Sequence, residues 1–237
     1  MYNFLKRLTD IAIAALALII LSPILILAII ILLLTGEHEV FYYQKRIGYK
    51  NKPFYIWKFA TMLKNSPNMA TGHITLRNDP RVTWFGKILR ITKINELPQI
   101  INVFKGDMTI VGPRPLMESG FNLYSEEIKK KIYNVKPGIT GIGSLVFRDE
   151  EKLISAANDP IAMYSTISPY KGALEMWYQK NASLSVDFMI IFLTAWSILF
   201  PNNTLQNKVF KDLPAKEFVT SLHVTELPIP GVPSTSH

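Results

Sequence analysis

The chain has 237 residues, 49% of them hydrophobic, and its 26 Lys+Arg against 18 Asp+Glu leave a formal charge of +8. With no cysteine it has no disulfide framework and no thiolate metal site, and its four His show no HExxH or paired spacing. Such a positive surface attracts anionic lipid headgroups, phosphate-bearing substrates or nucleic acid.

The first element is the uncharged run Ile11 to Leu34, IAIAALALIILSPILILAIIILLL. As a helix it is about 36 Å long, enough to cross a hydrocarbon core of about 30 Å. Two features argue against a plain crossing. Pro23 cannot donate to the Ile19 carbonyl and its ring crowds that turn, while the Ser22 hydroxyl can meet freed backbone groups. Lys6 and Arg7 precede the run and Lys45, Arg46, Lys50, Lys52 and Lys58 follow it, so both flanks ask for the cytoplasmic side. The reading is a re-entrant helical hairpin turning at Ser22 and Pro23; a kinked spanning helix is the alternative. A cleavable signal peptide fits poorly, because the run exceeds the usual apolar region of about 7 to 15 residues and no small-x-small pattern closes it.

Val40 to Ile47 and Phe54 to Ala60, aromatic and partly alternating about Tyr49 to Pro53, predict a β-hairpin. Lys64 to Asp79, rich in Asn, Thr, Gly and Pro, reads as a loop. Asp79 as N-cap and Pro80 at the first position predict the start of a helix. Its Val82, Trp84, Phe85, Ile88, Leu89 and Ile91 are interleaved with Arg81, Lys87 and Arg90. That pattern suits a helix lying in a membrane interface and equally a core helix with a solvated face. Short helices follow at Glu96 to Phe104, ended by Lys105-Gly106, and at Ser125 to Tyr133. Phe188 to Phe200 is apolar but too short to span, and from Leu213 four prolines leave an extended or disordered tail.

Phosphate recognition needs fixed cationic forks, and Val111-Gly112-Pro113-Arg114-Pro115 offers an Arg between two prolines that restrict its backbone. A Gly-Pro cluster is also an ordinary turn. Lys58, Arg90 and Glu96 are polar groups in apolar surroundings, and spacing alone does not bring them together.

Several motifs in order closely resemble the bacterial sugar transferase family, the monotopic phosphoglycosyl transferases. They are Ser22-Pro23, QKRIG at Gln44 to Gly48, the Lys58 to Met62 segment, NDPR at Asn78 to Arg81, Leu89-Arg90, ELPQIINVFKGDMTIVGPRP at Glu96 to Pro115, VKPGITG at Val135 to Gly141 and YQKNASLSVD at Tyr178 to Asp187. The resemblance implies an α+β, mainly helical protein: a monotopic membrane protein with a re-entrant N-terminal helix hairpin, a small β-hairpin and a cytosolic catalytic domain. The implied divisions are the membrane helix over 1–38, the catalytic domain with interfacial helices over 39–212 and the tail over 213–237. It implies transfer of a phospho-sugar from a UDP-sugar to a polyprenyl phosphate such as undecaprenyl phosphate, with release of UMP, as a first membrane step of bacterial polysaccharide assembly such as lipopolysaccharide or capsule. The place implied is the cytoplasmic face of a bacterial inner membrane with anionic lipids; nucleic acid is not an expected partner, and a homodimer stays open. On the family's pattern Mg²⁺ would neutralise the diphosphate with Glu96 and Asn95 as its ligands. Arg114, Arg90, Lys58, Arg81 and Arg148 would bind phosphate or substrate.

The sequence departs from the family where an Asp-Glu pair is usual, since here the pair is Asn95-Glu96. An amide has neither the charge nor the basicity of the nucleophilic carboxylate, so the covalent mechanism does not transfer to Asn95 unchanged. Glu96 could act as nucleophile or general base, Asn95 could orient metal or phosphate in an active variant, or the enzyme could be impaired. Retention of Glu96, Arg90, Arg114 and Lys58 favours activity; a non-catalytic scaffold or nucleotide-sugar-binding subunit is the alternative. Ala60, Ser144 and Phe147 also depart from the common pattern and leave the sugar open. Asp79 and Asp107 are further candidate metal ligands, each equally suited to a cap or turn, and Asp187 reads as structural.

Overall fold

The computed structural model describes residues 1–66, 79–200 and 205–214, and it is mainly helical with a small β-hairpin. Its contacts divide the chain into two compact units, Met1–Ile110 and Val111–His237.

In the first unit, α1 (Tyr2–Leu34) is one continuous helix through Pro23 rather than two separate arms. The Ser22 hydroxyl donates to the Ile19 carbonyl at 2.8 Å, the acceptor that Pro23 leaves unmet, which lets the helix continue. Ile19 and Ile20, just before the proline, are 71% and 63% exposed. Towards the ends the helix is held. Arg7 donates to the Val103 and Phe104 carbonyls at 2.7 and 2.9 Å, and Asp10 accepts from the Thr109 hydroxyl and the Ile110 N–H at 2.7 and 3.0 Å. Ala28 and Leu32 pack in a core with Phe59, Phe85 and Leu89.

The hairpin forms as expected, within a residue of the predicted bounds: β1 (Phe41–Ile47) pairs antiparallel with β2 (Pro53–Phe59) in a register from Phe41 opposite Phe59 to Ile47 opposite Pro53. Trp57 meets Phe41 and Tyr43 edge-on, at 5.4 and 4.9 Å between ring centres, the aromatic cross-strand contact that stabilises such ribbons. Of the predicted loop at Lys64 to Asp79, residues 67–78 lie outside the described residues.

α2 (Trp84–Ile91) starts later than predicted. Thr83, not Asp79, is its N-cap, accepting the Gly86 N–H at 3.0 Å. Asp79 is committed instead to Arg81, which leaves it no role as a cap. The helix serves both readings of its pattern: Phe85 and Leu89 are buried, while Trp84, Ile88 and Ile91 stand outward. A 3₁₀ turn (Ile94–Glu96) follows, then α3 (Gln99–Lys105), which ends on Gly106 in the left-handed region at φ 95°, as a C-terminal glycine permits.

In the second unit, α4 (Glu118–Phe121) and α5 (Glu126–Lys131) precede a short strand at Gly138–Thr140, and α6 (Ile142–Val146) and α7 (Glu150–Ser155) follow it. Two long helices, α8 (Pro160–Asn181) and α9 (Leu184–Leu199), carry most of this unit. α9 contains the apolar run at Phe188, with Ile190 and Leu193 buried and Phe188 and Phe192 outward. Of the predicted tail, residues 215–237 lie outside the described residues.

Asp10→Ala leaves the Ile110 N–H and the Thr109 hydroxyl without their acceptor inside the protein. The expected loss is about 1–3 kcal/mol, read as a lower thermal midpoint in detergent. Asp10→Asn keeps an acceptor oxygen and should recover part of it.

Candidate functional site

In the first unit, Lys58 on β2 and Glu96 in the 3₁₀ turn form an ion pair at 3.4 Å, with side chains 15% and 22% exposed. Two devices place them. The Asn102 side chain on α3 accepts the Trp57 N–H at 3.0 Å and donates to the Tyr55 carbonyl at 2.8 Å, so it pairs with the edge of β2 as a strand would and fixes the residue beside Lys58. Lys93 takes the left-handed conformation at φ 60°, which turns the chain between α2 and the 3₁₀ turn immediately ahead of Asn95 and Glu96. A non-glycine residue there is strained by roughly 1 kcal/mol or more, so surrounding contacts must hold it.

Asn95 is buried, at 8% exposure, and its Oδ1 has no hydrogen-bond partner among the described residues. A buried acceptor without a donor is costly, and a water, an ion or a ligand can complete its bonding. Arg90, in the last turn of α2, is half-buried, and its charge adds to the forces that hold Asp79 ionised.

Three of the predicted residues are engaged by other groups of the protein. Arg81 is 1% exposed and sits in a closed clamp with Asp79: its Nε and Nη2 donate to the two carboxylate oxygens at 2.8 and 2.6 Å, and Nη1 donates to the Ser66 carbonyl at 2.9 Å. The bonds from Arg81 hold the Asp79 carboxyl below its ordinary range. A guanidinium buried and paired in this way braces the chain, and the same bonds occupy its partner's carboxylate. Asp107 faces Asn102 at 3.4 Å and Lys105 at 3.8 Å, which is a turn role.

In the second unit, Arg114 is half-buried in a loop whose neighbours Val111, Gly112, Pro113, Pro115 and Leu116 are all buried. The loop's backbone is bonded to elements distant in sequence. The Tyr178 hydroxyl lies 3.0 Å from the Val111 carbonyl, Gly112 N–H donates to Thr140 at 2.9 Å and Gly138 N–H to Pro113 at 2.9 Å. Tyr133 closes it, its hydroxyl donating to the Arg114 carbonyl at 2.8 Å and accepting the Leu116 N–H at 2.9 Å. The Arg114 N–H donates to the Glu175 carboxyl on α8. A side chain on Gly138 would put its Cβ 2.2 Å from Gly112 N, and one on Gly141 would put it 2.3 Å from the Gly112 carbonyl oxygen, so only glycine admits this approach.

Glu175 is 3% exposed, its Oε2 has no partner, and burial pushes its carboxyl up to about 8 against the weaker pull of Arg114 and Lys171. Asp187 is buried with its Oδ1 2.6 Å from the Tyr178 hydroxyl, in keeping with a structural role. Arg148 is half-buried just after α6. Asn102, Tyr133 and Glu175 were not singled out from the sequence; the one signal was polar residues placed inside apolar stretches.

A hard divalent cation takes oxygen ligands, and magnesium in particular is held through one or two carboxylates while substrate phosphates supply the rest. The orphaned Oδ1 of Asn95 and the carboxylate of its neighbour Glu96 fit that donor set. No cluster of three His, Cys, Asp or Glu exists among the described residues, so an all-protein cage is not what this chain offers there.

The family model for bacterial sugar transferases matches residues 1–201. The chain is 34% identical to a UDP-N-acetylgalactosamine-undecaprenyl-phosphate N-acetylgalactosaminephosphotransferase of Aeromonas hydrophila, over 84% of this chain and 44% of that protein. It is 34% identical to an exopolysaccharide production protein of Sinorhizobium fredii, over 80% of this chain and 83% of that one. A UDP-glucose:undecaprenyl-phosphate glucose-1-phosphate transferase of Escherichia coli is also 34% identical, over 82% of this chain and 40% of its own length. The chain thus spans less than half the length of two of these relatives and most of the third.

Glu175 binds its proton more tightly folded than unfolded, so the stability it contributes is full below its unfolded value of 4.5 and is lost as pH rises to about 8. Glu175→Gln removes this titration. Relative to wild type the variant should gain stability across that window, by a few kcal/mol at most, measured as unfolding midpoints from pH 5 to pH 8.5.

Proposed function

The chain belongs to the bacterial sugar transferase family, and from that premise we propose that it transfers a sugar 1-phosphate from a UDP-sugar to a polyprenyl phosphate, releasing UMP. The observation that carries the reading is the Lys58–Glu96 pair beside a buried Asn95 whose Oδ1 lacks a partner. That is a site set up to receive a charged, oxygen-coordinated ligand. The Arg114 loop supplies a second phosphate-binding element, with Arg90 and Arg148 as further cations.

An oxygen of the lipid phosphate forms the new bond to the sugar-bearing β-phosphorus, the bond from that phosphorus to the bridging oxygen breaks, and the bridging oxygen leaves with UMP. Asn95 is no nucleophile, because an amide has neither the charge nor the basicity of a carboxylate. Glu96 lies about 120° around the 3₁₀ turn from residue 95, so it acts as base or metal ligand rather than in the geometry of the missing Asp. Lys58 balances it as a point charge, and Arg114 binds phosphate oxygens through a fork that the loop holds ready. Glu96 and Asn95 would hold magnesium, which would neutralise the diphosphate charge.

The anchor is proposed to enter and leave on the cytoplasmic side of the membrane. Arg7 and Asp10 near one end of α1, and Ala28 and Leu32 near the other, are all tied to the same unit. A helix crossing a core of about 30 Å carries its far end out of reach of a unit on the near side. The exposed stretch about Ile19 and Pro23 is then the part that dips into lipid. A cysteine at Asn3 in intact cells should resist an impermeant thiol reagent, and labelling there would make α1 a spanning helix.

The departure at Asn95 favours one other reading, a non-catalytic nucleotide-sugar-binding subunit. UMP release from UDP-glucose, UDP-galactose and UDP-N-acetylgalactosamine, with undecaprenyl phosphate and Mg²⁺, separates the two. The expected results are release with at least one sugar, its loss in Glu96→Gln, and its preservation or increase in Asn95→Asp. No phospho-sugar adduct should appear by intact mass with UDP-sugar alone. Arg114→Ala should cut turnover by about tenfold or more, with Arg114→Lys restoring only part because a point charge cannot fork. Full activity in folded Glu96→Gln would remove Glu96 from the catalytic role, and no UMP release from any of the three sugars would leave the binding-subunit reading ahead.

A further inference from the structure

We propose that Glu175 is a positioning residue for Arg114: its carboxyl accepts the Arg114 N–H from inside the unit and fixes how the guanidinium leaves the loop. This rests on the reading of Arg114 as a phosphate binder.

Glu175 is built in rather than tolerated. Its Oε1 occupies the space over Gly143, where an added Cβ would come within 2.4 Å, and its Oε2 lies 3.7 Å from the Cβ position of Gly141. Two glycines therefore clear room for a carboxyl that an apolar side chain could fill at less cost. The bond it makes goes to the backbone of the one half-buried cation in a buried loop. Tyr133 holds the carbonyl of the same residue, so Arg114 is fastened by both of its own peptide groups.

The groups that face Glu175 set its charge. Lys171, one turn earlier on α8, pairs with Glu150 of α7 at 2.6 Å and lies 5.2 Å from the Tyr164 ring centre, so its charge is largely answered elsewhere. Tyr124 is buried, and the Glu175 charge would push its hydroxyl further up. Arg114 is the remaining cation. As a neutral acid Glu175 holds the loop without competing for the guanidinium. Once ionised it attracts that guanidinium inward and offsets the charge a phosphate would meet. Burial keeps it neutral at pH 7, and it ionises as pH rises through about 8. Phosphate binding by Arg114 should therefore weaken over that range, through affinity rather than through the chemical step.

The test is the dissociation constant of UDP for the full chain in lipid nanodiscs, by calorimetry at pH 6.5 and pH 9. The variants are Glu175→Gln, Glu175→Leu, Arg114→Ala and the Glu175→Leu, Arg114→Ala pair. Wild type should lose about fivefold or more between the two pH values, while Glu175→Gln keeps most of the affinity at pH 6.5 and loses little at pH 9. Glu175→Leu should bind about tenfold more weakly than wild type, with no further loss when it is added to Arg114→Ala. Wild-type affinity in Glu175→Leu, an equal loss on the Arg114→Ala background, or an undiminished pH effect in Glu175→Gln would each overturn the proposal. Should Glu175→Leu fail to fold, the pH comparison of wild type with Glu175→Gln decides. Turnover is measured separately: this UDP pattern without UMP release sinks the transfer reading alone, and UMP release with a wild-type KM in Glu175→Leu sinks this inference alone.

Discussion

A buried stretch of irregular backbone must find a partner for every peptide group, and the segment Val111 to Leu116 is built around that constraint. It is buried except at Arg114 and belongs to no helix. Inside a helix these groups would satisfy one another; here Tyr178, Thr140, Gly138, Glu175 and Tyr133 do it from distant positions. The two prolines simplify the problem, since each removes an N–H that would otherwise need an acceptor. Tyr133 meets two groups with one hydroxyl, donating to one and accepting from the other. The outcome is a cation whose main chain cannot drift, and pre-organisation of this kind is what electrostatic recognition of phosphate needs.

The first unit obeys the same rule with other residues. Asn102 stands in for a neighbouring strand at β2, and Arg81 closes on Asp79 and Ser66. Asp10 takes a backbone N–H and a hydroxyl from the two residues just ahead of Val111. In each case the polar side chain lies within apolar packing and its full bonding is the reason it can. A buried charge-assisted bond is worth more than an exposed one, and leaving one partner alone is what makes its removal costly. Arg7 and Asp10 thereby tie the long apolar helix to the rest of its unit.

Much of the fold was legible from the sequence where the signal was local. The hairpin followed from aromatic alternation about Tyr49 to Pro53, and the end of α3 from Gly106. The sequence was read as turning at Ser22 and Pro23, where α1 instead runs on because Ser22 meets the carbonyl that Pro23 leaves. The start of α2 was misplaced because Asp79-Pro80 has the form of a cap, and only the fold shows that Asp79 is bound to Arg81 two residues on. The same bonds commit the Arg81 side chain to Asp79 and Ser66: a charge count cannot tell a buried, paired guanidinium from an exposed fork. Lys58 and Glu96 do meet, 38 residues apart in sequence, yet nothing in their spacing required it. Glu175 was invisible for a similar reason, since its meaning depends on two glycines more than 30 residues away.

Charge near the proposed phosphate binders explains how an enzyme could work with Asn95 in place of a carboxylate. A nucleotide diphosphate and a lipid phosphate are both anionic, so every ionised acid close to them opposes binding. Glu96 is balanced by Lys58, Asn95 carries no charge, and Glu175 is kept neutral by burial at pH 7. Losing the Asp would remove a nucleophile but also a repulsion, which suits direct attack by the lipid phosphate better than a covalent route. A scaffold would have no need of that balance, and a residue such as Lys58 or Glu96 could then be replaced singly without consequence for its task.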